Sequence, residues 1–138
     1  FAMEFVEGRT AKGLLKELGK VPVDQAVSIV RQIAEALRYA SAQQLIHRDI
    51  KPDNIMLCEN GYLKLIDFGS AKKIKGYTKS LVGTPHYLPP EIILGEEYGY
   101  STDYWSLGIT LYEIFYGYFP FGNTAKNPQE IYEETINK

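Results

Sequence analysis

The feature that most constrains this chain is the apolar run from Trp105 to Phe119, interrupted by Ser106, Thr110 and Glu113. It is shorter than the roughly 20 residues that cross a bilayer, so it predicts no membrane span. It reads instead as a helix from Asp103 to about Tyr116, with Ser101 or Thr102 as cap. Being hydrophobic on nearly all sides, that helix is expected at the centre of a domain. A chain of 138 residues is long enough to close one modest core around it.

Other elements follow from periodicity and punctuation. Ala11 to Leu18 reads as a short helix closed by Gly19. Asp24 is a suitable N-cap for a second helix, in which Ala26, Val30, Ile33, Leu37 and Ala40 form one apolar face running to about Ala42. Ile55-Met56-Leu57 and Tyr62 to Ile66 are strand candidates, with Asn60-Gly61 between them as a hairpin turn. Asp67 to Pro90 shows no sustained period, and a segment of that kind inside a compact domain is usually functional or disordered. Asn127-Pro128 supplies a cap and a first-turn proline for a last helix. The reading is α+β and mainly helical, with one small hairpin.

Composition excludes several functions. A net charge of −2 does not supply the clustered cations that nucleic-acid binding needs. The short group Lys72, Lys73 and Lys75 reads as a solvated loop face. One cysteine, Cys58, rules out an internal disulfide framework and makes a reducing, cytoplasmic setting the expectation. No signal peptide is visible, because Phe1 opens apolar sequence without a basic flank.

The chemistry gathers around the hairpin. His47-Arg48-Asp49-Ile50-Lys51-Pro52-Asp53-Asn54 precedes it, and Asp67-Phe68-Gly69 follows it. The first run resembles the catalytic loop of the protein kinases, His-Arg-Asp-x-x-x-x-Asn, and the second resembles their Asp-Phe-Gly motif. Gly83-Thr84-Pro85 with Tyr87-Leu88-Pro89-Pro90-Glu91 is similar to the end of a kinase activation segment. Asp103-Tyr104-Trp105-Ser106-Leu107-Gly108 is similar to the start of the family's central helix, and Met3 to Gly8 resembles its hinge. The resemblance spans the chain. It implies a partial kinase domain over residues 1–138, with a hinge at 1–8 and an incomplete C-terminal lobe from about residue 9. The N-terminal lobe and the closing helices would lie outside it, so these residues alone should be inactive.

The resemblance also implies roles. Asp49 would be the catalytic base, and Asn54 and Asp67 the ligands of Mg²⁺, a hard cation suited to oxygen donors. Lys51 would meet the transferring phosphate of ATP, with Thr84 hydrogen-bonded to Asp49 and Lys51; this pair implies serine/threonine specificity. Backbone groups at Glu4 and Val6 would meet the adenine, while Met56 and Ile66 line its pocket. Ser80, with Thr78 as its neighbour, would be the activation-loop phosphosite, pairing with Arg48. Asp53 and Glu113 would form an acidic pocket for basic residues of protein substrates. His47 is expected to brace the loop, and Asp103 to hold its backbone.

The subgroup resemblance is to the cyclic-nucleotide-dependent kinases, above all the cGMP-dependent ones, through Asp67 to Lys73 and Tyr104 to Gly108. It implies cyclic-nucleotide-binding domains outside this stretch. Three positions depart from that pattern: Thr10 and His86 replace a usual Glu, and Pro89 a usual Ala. The rival readings are a pseudokinase or truncated scaffold that binds partners without phosphoryl transfer, and a generic nucleotide-binding module.

Overall fold

The periodic face at Ala26, Ile33 and Leu37 is one wall of the main core. In the computed structural model, which describes residues 8–58, 62–66, 71–73 and 83–137, the chain begins with strand β1, Gly8–Thr10. It passes directly into helix α1, Ala11–Leu18, whose N-terminus is capped by Thr10 Oγ1 accepting from Gly13 N at 3.0 Å. Gly19, at a φ of +78°, ends the helix and donates to Leu15 O.

Helix α2, Val23–Ala42, buries Ala26, Ile29, Ile33 and Leu37. Asp24 is not its cap: Pro22 takes that place without a side-chain bond, and Asp24 lies in the first turn. There its charge still complements the positive end of the helix. Strand β2, Leu45–Ile46, and a 3₁₀ turn, Pro52–Asn54, lead to β3, Ile55–Cys58, and β4, Leu63–Leu65.

Strands β3 and β4 pair antiparallel, Ile55 opposite Leu65 and Leu57 opposite Leu63. The Asn60-Gly61 turn lies outside the described residues. Strand β1 pairs with the other edge of β3, so the sheet order is β1-β3-β4. Gly8-Arg9-Thr10 is too short and polar to show this in the sequence.

The aperiodic stretch after residue 66 contains local structure as well. Strand β5, Lys72–Lys73, pairs antiparallel with β2, which places these two lysines on a strand and not on a loop face. Lys75 lies outside the described residues. A second 3₁₀ turn, Pro85–Tyr87, precedes the short helix α3, Pro90–Ile93.

Helix α4, Ser101–Tyr116, starts earlier than its apolar run suggests, with Tyr100 as cap and neither Ser101 nor Thr102 capping it. Its burial is one-sided: Tyr104, Gly108 and Tyr116 are exposed, while Asp103, Ser106, Thr110 and Glu113 are buried. Polar groups therefore face inward on the central helix. Helix α5, Pro128–Asn137, is capped by Asn127 Oδ1, which accepts from Glu130 N at 3.0 Å.

Two apolar clusters hold these elements. The larger joins Ala11 and Leu15 of α1, the inner face of α2, Ile50, Ile55, and Leu107 and Ile114 of α4. The smaller joins Ile46, Leu88, Ile92 and Tyr98. The C-terminal ends of α1 and α4 meet at two glycines. A Cβ on Gly117, at a φ of +87°, would stand 2.4 Å from Gly19 O. That approach, with Val21 N donating to Ile114 O at 2.7 Å, sets α1 beside α4. Among the described residues no helix is long and apolar enough to cross a membrane.

Candidate active site

The segment His47–Asn54 is a polar loop pinned by apolar anchors. Ile46, Ile50 and Ile55 are fully buried and Pro52 is buried, each isoleucine contributing on the order of 1.5–3 kcal/mol. The residues between them, Asp49, Lys51 and Asp53, are thereby left toward the surface. His47 is buried; its Nδ1 accepts from Asp49 N at 3.2 Å, and its Nε2 donates to Ile66 O at 3.1 Å. These bonds make the imidazole a brace between the loop and the residue after β4.

Arg48 has a φ of +71°, a conformation that costs a non-glycine residue energy and needs support. The support is Asp103 of α4. Its Oδ2 accepts from His47 N at 2.8 Å and its Oδ1 from Arg48 N at 2.9 Å. Burial pushes the Asp103 carboxyl above its ordinary range, opposed by these two amide bonds and by the charges of His47 and Arg48. Arg48 Nη1 also donates to Tyr98 Oη at 3.4 Å.

The turn places Asp49 against Thr84. The Thr84 hydroxyl donates to Asp49 Oδ1 at 2.7 Å and accepts from Lys51 Nζ at 2.9 Å. One hydroxyl so links the carboxylate and the ammonium, with Lys51 Nζ 3.9 Å from Asp49 Oδ2. Gly83 makes the approach possible: at a φ of +133°, a Cβ there would meet Leu88 Cδ2 at 2.6 Å and Arg48 O at 3.1 Å. Asn54, buried, donates through Nδ2 to Asp49 O at 2.8 Å and to Asp49 Oδ2 at 3.3 Å. Its amide nitrogen is committed to the loop, so the side-chain oxygen is the atom left to coordinate.

Met56 and Ile66 are half-buried on and beside the sheet, where Ile66 N donates to Asn54 O at 2.9 Å. Asp53 is exposed. Glu4, Val6, Asp67, Thr78 and Ser80 lie outside the described residues.

Glu113 lies on the inner face of α4. It is buried, and each of its oxygens already has a partner: Oε1 accepts from Tyr87 Oη at 2.5 Å and Oε2 from Lys12 Nζ at 2.6 Å. Burial drives the Tyr87 phenol far above its ordinary pKa, reinforced by the bond to Glu113 and the charges of Glu113, Asp53 and Asp49. Tyr87 is a permanent donor here. Lys12 and Tyr87 were not evident as site residues in the sequence. Tyr87 is 26 positions from Glu113 and Lys12 is 101 positions from it, so neither pairing shows in local spacing.

This geometry can be set beside known proteins. The family model described as the protein kinase domain matches residues 1–138. The chain belongs to the protein kinase family. A cGMP-dependent protein kinase of Plasmodium berghei is 43% identical over 136 residues, covering 99% of this chain and 16% of that protein. A cGMP-dependent protein kinase of Toxoplasma gondii is 42% identical, covering 99% and 14%. The cAMP-dependent protein kinase type 3 of Saccharomyces cerevisiae is 38% identical, covering 98% and 33%. This kinase-family chain therefore spans about a sixth of the length of the first two relatives.

Proposed function

We propose that these residues form part of the larger lobe of a serine/threonine protein kinase, whose complete form transfers the γ-phosphate of ATP to protein hydroxyls. One observation carries the reading: Thr84 bridges Asp49 and Lys51. A carboxylate and an ammonium are thus positioned side by side, without collapsing into a direct short ion pair. Asp49 would accept the proton of the attacking Ser or Thr hydroxyl and hold it in line, while Lys51 would meet charge on the transferring phosphoryl group.

Asn54 fits a role toward Mg²⁺, because its donor group is turned to Asp49 and its oxygen is the coordinating atom. Asp67 would complete that set. When bound, the metal neutralises the phosphate oxygens. Glu4 and Val6 would offer backbone groups to the adenine, with Met56 and Ile66 as apolar walls. Cyclic-nucleotide-binding regulatory domains elsewhere in the protein, and a cytoplasmic location, agree with the relatives' names and the lone Cys58 thiol. Of the two acidic residues expected to read basic substrates, only Asp53 is exposed.

The test is a kinase assay on the complete protein with Asp49→Asn. Removing a positioned base should lower kcat by about 10²–10⁴-fold; unchanged phosphoryl transfer would overturn the reading. A second expectation concerns regulation. Phosphorylation of Ser80 would add charge that Arg48 can pair with, ordering the activation segment. Ser80→Ala should reduce activity severalfold, and an unaltered rate in that variant would remove Ser80 from the scheme.

A further inference from the structure

Arg48 is held at both ends by one short segment of chain. Its backbone takes the left-handed conformation, at a φ of +71°, directly before Asp49. Asp103, in the first turn of α4, secures the amide at 2.9 Å. Tyr98, five residues before Asp103, reaches the other end: its Oη accepts from Arg48 Nη1 at 3.4 Å.

The Tyr98 ring is firmly seated. It is 2% exposed and packs with Ile46, Leu88 and Ile92 in the smaller cluster. Ile46 ends β2 just before the loop, and Leu88 follows the Pro85–Tyr87 turn next to Thr84. The ring therefore sits among anchors from both sides of the Thr84 bridge. Its hydroxyl is a neutral partner, so it directs the guanidinium without cancelling its charge, and the charged donor strengthens the bond. Arg48 O lies 3.1 Å from where a Cβ on Gly83 would stand, so Arg48 also backs the segment that brings Thr84 to Asp49.

We propose that Tyr98 is a positioning residue for Asp49, acting through the Arg48 side chain. The proposal rests on the kinase reading above. A left-handed arginine gains by relaxing toward ordinary backbone angles, and that rotation would swing Asp49 away from Thr84. Asp103 restrains the amide at the pivot, and Tyr98 restrains the far end of the lever. The turn relaxes freely only when both release.

A double-mutant cycle on the complete protein tests this. All variants carry Ser80→Ala, which keeps the proposed pairing of Arg48 with a phosphate out of the comparison. Tyr98→Phe leaves the ring in its cluster and removes only the hydroxyl. It should lower kcat by about threefold to tenfold and leave KM for ATP and for peptide unchanged. With Arg48→Met already present, adding Tyr98→Phe should change kcat by less than about 1.5-fold, because the guanidinium it acts on is gone. A purely structural role for Tyr98 would cost the same in both backgrounds. A loss of equal or greater size beside Arg48→Met, no loss in either background, or a change confined to KM overturns the proposal and leaves the kinase reading standing. Absence of transfer by the wild type overturns both. Should Arg48→Met fail to fold or turn over too slowly to assay, hydrogen exchange on Tyr98→Phe decides. The Asp49 amide, which donates to His47 Nδ1 at 3.2 Å, should then exchange faster relative to the amides of α2; unchanged exchange overturns the proposal.

Discussion

A carboxylate that accepts from two successive backbone amides can hold a turn that sequence preference alone would not hold. Asp103 does this for His47 and Arg48, and so stabilises the left-handed Arg48 directly before Asp49. The buried charge is costly, and the two amide bonds offset that cost. Asp103→Asn keeps the shape but has only one acceptor oxygen. Its NH₂ group would face an amide N–H, leaving a buried donor unsatisfied at roughly 1–3 kcal/mol. Chemical denaturation should register that loss. Hydrogen exchange at the His47 and Arg48 amides should quicken above the global effect, and kcat should fall because Asp49 loses its position. Exchange at wild-type rates would show that Asp103 does not secure the turn.

At the scale of elements, legibility followed from how local each cause is. The cap and proline of α5 lie within a few residues of each other, and the structure has them as read. Helix α1 likewise ends at Gly19, and the inner face of α2 follows its periodicity. The cap of α2 is not legible in the sequence, because Pro22 starts the helix through its fixed φ and offers no side-chain oxygen to recognise. Strand β1 and strand β5 exist through partners distant in sequence, β3 and β2, so nothing within their two or three residues announces them. The interior of α4 misled for another reason. Its apolar residues suggest burial all round, yet Asp103 and Glu113 are buried because each serves a remote segment, the His47–Asn54 loop and α1 with Tyr87. The loop residues were legible because their spacing is local; Lys12 was not, because its partner comes from the far half of the chain.

Across the whole molecule, the site's precision depends on the core it is anchored in. Ile50 lies between Asp49 and Lys51 and belongs to the larger cluster with α1, α2 and α4. The same core therefore fixes both partners of the Thr84 bridge. Ile50→Ala should destabilise the protein by about 2–5 kcal/mol through lost burial and the cavity left behind. It should also lower kcat under conditions where the protein remains folded, because small displacements of the proposed base are costly. Ile29→Ala is the control. Ile29 is buried in the same cluster but sits on α2, away from the loop. It should cost stability on a similar scale and leave kcat of the folded protein near the wild-type value. Denaturant titration and steady-state kinetics on both variants separate the two effects. Equal kinetic losses would mean that the core stabilises the site only in general, whereas a loss confined to Ile50→Ala would show that this one anchor carries the geometry of Asp49 and Lys51.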